Sequence, residues 1–462
     1  MVSLNPSSLL NGTGIDVSSL VSQVLATQTA GLQQLQQQQT DLQTQASLLT
    51  GINSDLSNLS SAVNALTDVL GPLSAVSAQS SQTSVLTASA QSTAVPGTHT
   101  LVVSTLASQS TLYTDSVADA NTSILPANAA SADIQFQVGG ANGPTRDIPI
   151  SAGSNDTLNS LVSYINAQNW GVTATTLTDA TGSRLAIYSN TPGSTGALAI
   201  TSNTSSLAFN PPVGGTDANF TVDGIPFSST SNTVSGAIPG VTLNLLGAYP
   251  GVQVQVSVAP DTNQVAQAVT NFVSAYNAII GDINQQFTVN ATTNNEGPLG
   301  GDSSLRSLQS SLLNDSTYSV GSGAVASLDS LGITTNDDGT LSVNSSQLNS
   351  AISSNPSQVL NFFQNSSGTG FANNFAAGLQ NLTDPTQGVI SLDLTENSAK
   401  QQDLSNSIAD LQDRLSAQQT QLQTEFSQVN ALLEAFPSQL QAVQVELGIT
   451  PSSTSGNSTT SG

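Results

Sequence analysis

Two rhythms of apolar residues divide this chain. Toward the N-terminal end, Ile52, Leu56, Leu59, Val63, Leu66 and Leu70 follow one another in alternating steps of four and three. Leu404, Ile408, Leu411 and Leu415 start the same alternation near the other end. It resumes through Leu422, Phe426, Val429, Leu433, Phe436, Leu440, Val443 and Leu447. Such spacing lays one apolar seam along a helix and calls for a partner helix to cover it. The partner can be the other terminal helix or another subunit, or the stripes can be core faces of a closed helical bundle. Upstream, Asp16 with Ser18 and Ser19 is placed to cap a helix over Leu20, Val21, Val24 and Leu25. The Gln-rich stretch 33–47 stays helix-compatible, with Leu32, Leu35, Leu42, Ala46 and Leu49 on one stripe. The register is expected to shift beside Gly51 and the helix to end at Gly71-Pro72. Pro437 is expected to break or kink the C-terminal helix, setting Leu440–Leu447 apart.

Between the heptads the period changes to two. His99–Val103 and Ala132–Val138 alternate or are β-branched, and Gly139-Gly140 and Asn142-Gly143-Pro144 read as turns. Asp156–Trp170 reads as one amphipathic helix, followed by strands at Gly171–Leu177 and Ser183–Ser189. Phe220–Asp223, Ile225–Phe227, Val241–Leu246 and Val252–Val258 read as further strands. Helix returns at Asn263–Gln286 and Ser303–Leu313, then at Gln347–Gln364 with an interruption near Pro356. A hairpin is predicted over Gly332–Val343, with Asp338-Gly339 as a type I′ turn. The pattern predicts an α+β multidomain chain. Residues 1–14 form a disordered start, 15–50 with 401–447 a terminal coiled-coil leg, and 51–83 with 261–400 a helical-plus-hairpin domain. Residues 84–260 make one or two β-rich domains, and 448–462 a disordered tail.

Composition removes several function classes. Of 462 residues only 7% are charged, against ~25% in ordinary soluble domains. The formal net charge is −24, with Arg146, Arg184, Arg306, Lys400 and Arg414 as the only cations. So few cations cannot displace counterions from a nucleic acid or attract an anionic membrane surface. The chain has no cysteine, which excludes disulfides and thiolate metal sites. A cleavable signal peptide is not readable in the first thirty residues, which lack Lys and Arg, and no apolar run approaches the ~18 residues of a spanning helix. If exported, the protein leaves by another route. The lone histidine, His99, has no second imidazole to work with and reads as structural. Asp337-Asp338-Gly339 lacks the later bidentate Glu of a calcium loop and reads as a turn. No phosphate-cradling loop or nucleophile elbow appears, so neither an enzyme nor a cofactor is predicted.

Several phrases, taken in order, resemble the bacterial flagellar filament-capping family, also called hook-associated protein two. Gly14-Ile15-Asp16-Val17-Ser18-Ser19-Leu20-Val21 is similar to that family's N-terminal signature. Phe220-Thr221-Val222-Asp223-Gly224, Ser231–Val234 and Ile238–Leu243 are similar to the end of its middle β region, and Phe272–Asn277 to the helix after it. Leu299-Gly300-Gly301-Asp302, Ser304-Leu305-Arg306, Leu331-Gly332-Ile333, Asp338–Leu341 and Pro356–Val359 continue in family order, and the Ile408–Phe426 heptads complete it. The resemblance covers roughly residues 12–110 and 215–447; residues 111–214 carry no phrase tied to the family. It implies secretion unfolded through the flagellar type III channel and a homo-oligomeric ring at the filament tip. The implied partners are flagellin, hook-associated junction proteins and an export chaperone, and the implied legs are the terminal helices. On that reading the assembly residues are Leu20, Val24, Leu32, Leu35, Leu42, Leu404, Ile408, Leu411, Leu415, Leu422 and Phe426. Another axial flagellar protein, either flagellin or a junction protein, and an extracellular adhesin remain as alternatives.

Overall fold

A computed structural model describes residues 17–448 except 293, 322 and 366. The expected cap at Asp16, the start at 1–14 and the tail from 449 lie outside the described residues. The architecture is α+β: two very long helices flank a β-rich middle and a set of shorter helices.

Helix α1 spans Val17–Thr67 and crosses Gly31 and Gly51 without interruption. Seam residues Ile52, Leu56, Leu59, Val63 and Leu66 are all buried. The helix stops before the expected Gly71-Pro72 pair. The Asp68 carboxylate accepts the backbone N–H of Leu70 at 3.0 Å, an Asx turn that draws the chain out of helix. Leu70 therefore leaves the seam and lies exposed.

Strand β1 (Val76–Ser80) follows at once, so the β region begins before residue 84. Its partner β14 (Val254–Pro260) pairs in turn with β3 (Gly97–Thr105). β10 (Ala218–Val222) and β11 (Ile225–Ser229) complete this five-stranded antiparallel sheet. A three-stranded sheet of β12 (Thr233–Ile238), β13 (Val241–Leu245) and β2 (Leu86–Ala90) shares its core through Leu86, Leu101, Val103, Phe220, Leu243 and Val256. The type I′ hairpin is at Asp223-Gly224, where Val222 pairs with Ile225 and both turn residues have positive φ, 52° and 83°. The predicted one at Asp338-Gly339 is a correction. There the strands Ile333–Thr335 and Leu341–Val343 are joined by five residues, 336–340, and of Asp338 and Gly339 only the glycine has positive φ.

A second β core lies between β3 and β10 in sequence. β4 (Gln109–Tyr113), β8 (Gly182–Pro192) and β7 (Val172–Asp179) form one sheet; β6 (Thr145–Ser151), β5 (Ser131–Val138) and β9 (Leu198–Asn203) form another. Helix α2 (Leu158–Ala167) covers them with Leu158, Leu161 and Ile165 and starts on a Thr157/Ser160 capping box.

Helix α3 (Thr262–Phe287), capped by Asp261, returns the chain to α1. Around the two pack α4 (Ser303–Ser316), α5 (Ser345–Ser354), α6 (Pro356–Phe363) and α7 (Phe371–Leu382). Their core holds an aromatic cluster in which Phe272 meets Phe375 edge-on at 5.3 Å and Phe362 stacks on Phe371 at 5.3 Å. Helix α8 (Val389–Glu446) then leaves this core and runs back along α1.

Candidate assembly surface

The terminal helices pair antiparallel. The Gln401 side-chain amide donates to the Leu42 carbonyl at 3.5 Å, while Val21, Leu25 and Leu32 near the start of α1 cluster with Leu411, Leu415, Leu422 and Phe426 far along α8. Val21, Leu25, Ile408 and Leu415 are buried, and Leu32, Leu35, Leu42, Leu404, Leu411, Leu422 and Phe426 are half-buried. Among the expected assembly residues whose side chains are described, Val24 is the exception, at 48% exposed; farther along the expected α8 stripe, Val429, Phe436, Val443 and Leu447 are exposed as well. Val21 and Leu25 are four apart and share a face, which turns Val24 about 100° away from Leu25. Leu20 lies in α1, but its side chain is outside the described set. The expected break at Pro437 does not occur: α8 continues through that position to Glu446. One proline removes one backbone donor, and the turns on either side keep theirs.

The upper end of the seam is polar. Asn397 is buried, and its Oδ1 accepts from the Gln401 amide. That bond lies within α8 and moves with it; the bond that marks the register between the two helices is the one from Gln401 to the Leu42 carbonyl. Beside it, Ser304 of α4 donates to Asp393 of α8 at 3.2 Å. Burial pushes the Asp393 carboxyl above the usual range, Ser304 opposes this, and Asp302 and Glu396 add to it. Lys400 pairs with Glu396 at 2.8 Å, and that hydrogen bond and charge hold Glu396 low and Lys400 high. Gln45 of α1 donates to the Pro298 carbonyl at 2.9 Å, which ties the same junction to the loop before α4.

Amides replace ion pairs on the outer faces. Gln37 donates to Asp41 at 2.9 Å, Gln402 to Asn406 at 3.2 Å, Gln421 to Glu425 at 2.9 Å and Asn430 to Glu434 at 2.8 Å, each one helical turn apart. Nothing in heptad spacing separates these amides, or the Asn397 lock, from ordinary polar surface. The one available signal for the lock is Asn397 falling on an apolar position when the α8 pattern is carried upstream.

Elsewhere, His99 Nδ1 lies 2.8 Å from Asp223 Oδ2, while Asp223 Oδ1 accepts the Thr100 N–H at 2.8 Å. The His99 hydrogen bond, then the Thr100 one, hold the Asp223 carboxyl below its usual range. The pair fastens β3 to the β10–β11 turn. Asp338, read from the sequence as a turn residue, accepts from the Thr340 N–H and hydroxyl within its own turn. Among the described residues no group of three or more His, Cys, Asp or Glu is placed to hold a metal, and no helix is long and apolar enough to cross a membrane.

The terminal regions match known sequences. Residues 13–110 match the flagellar hook-associated protein 2 N-terminus and 215–438 its C-terminus. Residues 133–191, within the stretch that carried no recognisable phrase, match a flagellin hook IN motif. The B-type flagellar hook-associated protein 2 of Pseudomonas aeruginosa is 30% identical over 81% of this chain and 83% of its own length. The flagellar hook-associated protein 2 of Escherichia coli K12 is 27% identical over 94% of this chain and 96% of its own. The crystal structure of the D1-D2-D3 domains of the flagellar cap protein FliD from Escherichia coli superposes with a TM-score of 0.59 at 26% identity. It covers 76% of this chain and 99% of that one. With both ends matching in order and a relative at this identity over most of its length, the chain belongs to the flagellar hook-associated protein 2 family.

Proposed function

We propose that this protein caps the distal end of the flagellar filament as a homo-oligomeric ring, promotes folding and insertion of flagellin beneath it, and prevents loss of monomers. The observation that carries this reading is the α1–α8 pair: two helices that leave the helical core together and extend an apolar seam past it. In the assembled cap they are the legs set into the filament end, with Leu20, Val24, Leu32, Leu35, Leu42, Leu404, Ile408, Leu411, Leu415, Leu422 and Phe426 on the assembly helices. Val24, turned away from α8, is the member free to meet another chain. The two β cores form the outer plate, and the α3–α7 helices join plate to legs. Secretion through the flagellar type III channel, an export chaperone and hook-associated junction proteins belong to the same reading. The work of insertion comes from geometry and a sheltered cavity, without bond chemistry.

Electron microscopy of the purified protein is expected to show ring-like plates bearing legs. A strain lacking the gene is expected to release flagellin as monomer, and full-length filaments in that strain overturn the assignment. His99→Ala is expected to keep cells motile; a folded, non-motile variant reopens the question of catalysis.

A further inference from the structure

Strand β7 is an open sheet edge. It pairs with β8 on one side, from Val172 opposite Ser189 to Asp179 opposite Gly182, and ends its three-stranded sheet on the other. The two-residue turn at 180–181 makes Asp179 and Gly182 a bonded pair. Residues 173, 175, 177 and 179 therefore turn their backbone groups toward β8, and the even-numbered residues turn theirs outward. Ala174 bears this phase out. Asn166 of α2 donates to the Ala174 carbonyl at 2.9 Å and accepts its N–H at 2.8 Å, taking the place of a neighbouring strand. The cap stops there. Among the described residues, the outward N–H and C=O groups of Thr176 and Thr178 have no partner in this chain. The edge strands β6 and β11 are blunted by Pro149 and Pro226, whereas β7 has neither proline nor lysine and is uncharged from Val172 to Thr178. At the middle of the open stretch Leu177 is 49% exposed.

We infer that this edge binds the same edge of a second copy of the chain, antiparallel, about a twofold axis at Leu177. In that register Thr176 of each copy stands opposite Thr178 of the other, and the open N–H and C=O groups of both strands satisfy one another. Leu177 meets Leu177 of the second copy at a non-bonded position, where side chains approach most closely. Ala174 falls opposite Ala180 of the second copy, past the end of that strand, so the Asn166 cap stays closed. The capped and open parts of β7 thus make one self-complementary edge. Charge also selects a copy of this chain. With a net charge of −24 per copy, most surfaces repel their like. On β7 the only acid is Asp179, which has Arg184 at 3.4 Å within its own copy and comes opposite Thr175 of the other. A ring closes through two different patches meeting head to tail, whereas this contact joins one patch to itself. It therefore goes beyond the proposed ring and stands whether or not the protein caps filaments.

The chain has no cysteine, so a disulfide from a single engineered cysteine joins two copies. On the axis, L177C meets its own mate with Cα atoms about 4.5 Å apart, within disulfide reach. T175C lies about 13 Å from its mate and faces Asp179 of the other copy instead. Mild oxidation of the full-length protein is expected to give ~10-fold more dimer from L177C than from T175C, because facing thiols react at the effective concentration of the interface. A mixture of T175C and D179C proteins is expected to give the heterodimer in preference to either homodimer. Thr178→Pro removes an outward N–H that β8 does not use, and is expected to abolish the L177C dimer with the melting midpoint unchanged. Leu177→Lys leaves the backbone intact and sets like charges on the axis, so it is expected to abolish the T175C–D179C heterodimer. Equal dimer yields from L177C and T175C overturn the inference, as does a heterodimer that persists with Leu177→Lys. Cross-linking of L177C to a different protein in cells, with no homodimer, overturns it in favour of another partner.

Discussion

Leu415→Ala tests whether the terminal helices are held by their seam. Leu415 is 8% exposed and packs with Val21 and Leu25 in the small cluster where α1 and α8 meet farthest from the helical core. The substitution removes about three carbon groups, which at ~0.8 kcal/mol each is ~2.4 kcal/mol before any cavity term. The cluster is isolated from the large core, so the loss falls on local opening of the helix pair and spares global unfolding. At ~1.4 kcal/mol per factor of ten, opening becomes roughly 50-fold more frequent. Amide exchange along 404–426 of α8 should accelerate by about that factor, while amides of α3 and α7 keep their wild-type rates. Val24→Ala is the internal control: its side chain is 48% exposed, and its loss should stay below ~0.8 kcal/mol. Equal effects of the two substitutions, or an unchanged α8 after Leu415→Ala, refute the pairing.

Phe375→Ala should destabilise the helical core by ~3–5 kcal/mol, since the ring is fully buried against Phe272, Phe371 and Tyr276; a thermal melt with an unchanged midpoint refutes this. Asp282 of α3 is held above the ordinary 3.8, first by burial and then by the hydrogen bond and charge of Asp55 on α1. The folded state therefore holds this proton more tightly than the unfolded chain. Stability falls as pH rises from the ordinary aspartate value through the raised one and is level above it. Asp282→Asn should flatten that part of the melting-temperature profile, and an unchanged slope contradicts the raised Asp282 carboxyl. Among the described residues, Arg184–Asp179 and Lys400–Glu396 are ion pairs in a chain of net charge −24, so raising salt screens more repulsion than attraction. Exchange in α1 and α8 should hold steady or slow between low and high salt; marked loosening points to ion pairing.

How much was legible varies with how unambiguous the local physics is. The Ile52–Leu66 seam was plain because α1 is buried there on one continuous stripe, and period alone specifies that face. The helix starts expected at Asp156 and Asn263 lie within two residues of the observed ones, which Thr157 and Asp261 cap by short-range hydrogen bonds, and the interruption expected near Pro356 is where α6 begins. Leu70 fits the heptad by spacing, yet Asp68 two residues earlier captures its N–H, a competition that periodicity does not register. Asp-Gly pairs occur at 223–224 and 338–339 with the same local preference. The two-residue register of Val222 with Ile225 makes only the first a type I′ turn, and register is a property of both strands. Helix α7 was missed because Phe371 and Phe375 look like isolated aromatics until Phe272 and Phe362 fold against them. Up to Phe426, the described side chains packed between the two helices fall on the positions that the spacing marks, Val24 excepted. The Asn397 and Gln401 lock was not, because a buried amide and a surface amide are the same letter.

The seam between α1 and α8 therefore changes character along its length, and the change has a mechanical consequence. At the core end, the Gln401 bond to the Leu42 carbonyl, Gln45 on Pro298 and Ser304 on Asp393 each demand a specific geometry. Slippage there breaks these bonds, which costs about 0.5–1.5 kcal/mol apiece. Farther out only apolar packing remains, through Val21, Leu25, Leu415 and half-buried neighbours, and such contacts tolerate small rotations because they have no direction to lose. The outer faces pair amides with carboxylates in place of salt bridges, and these impose no ionic register on a neighbouring helix. A helix pair fixed at its base and permissive toward its end can meet neighbouring helices at slightly different angles without separating from its own body. On the capping function proposed above, that suits a leg seated in a filament end.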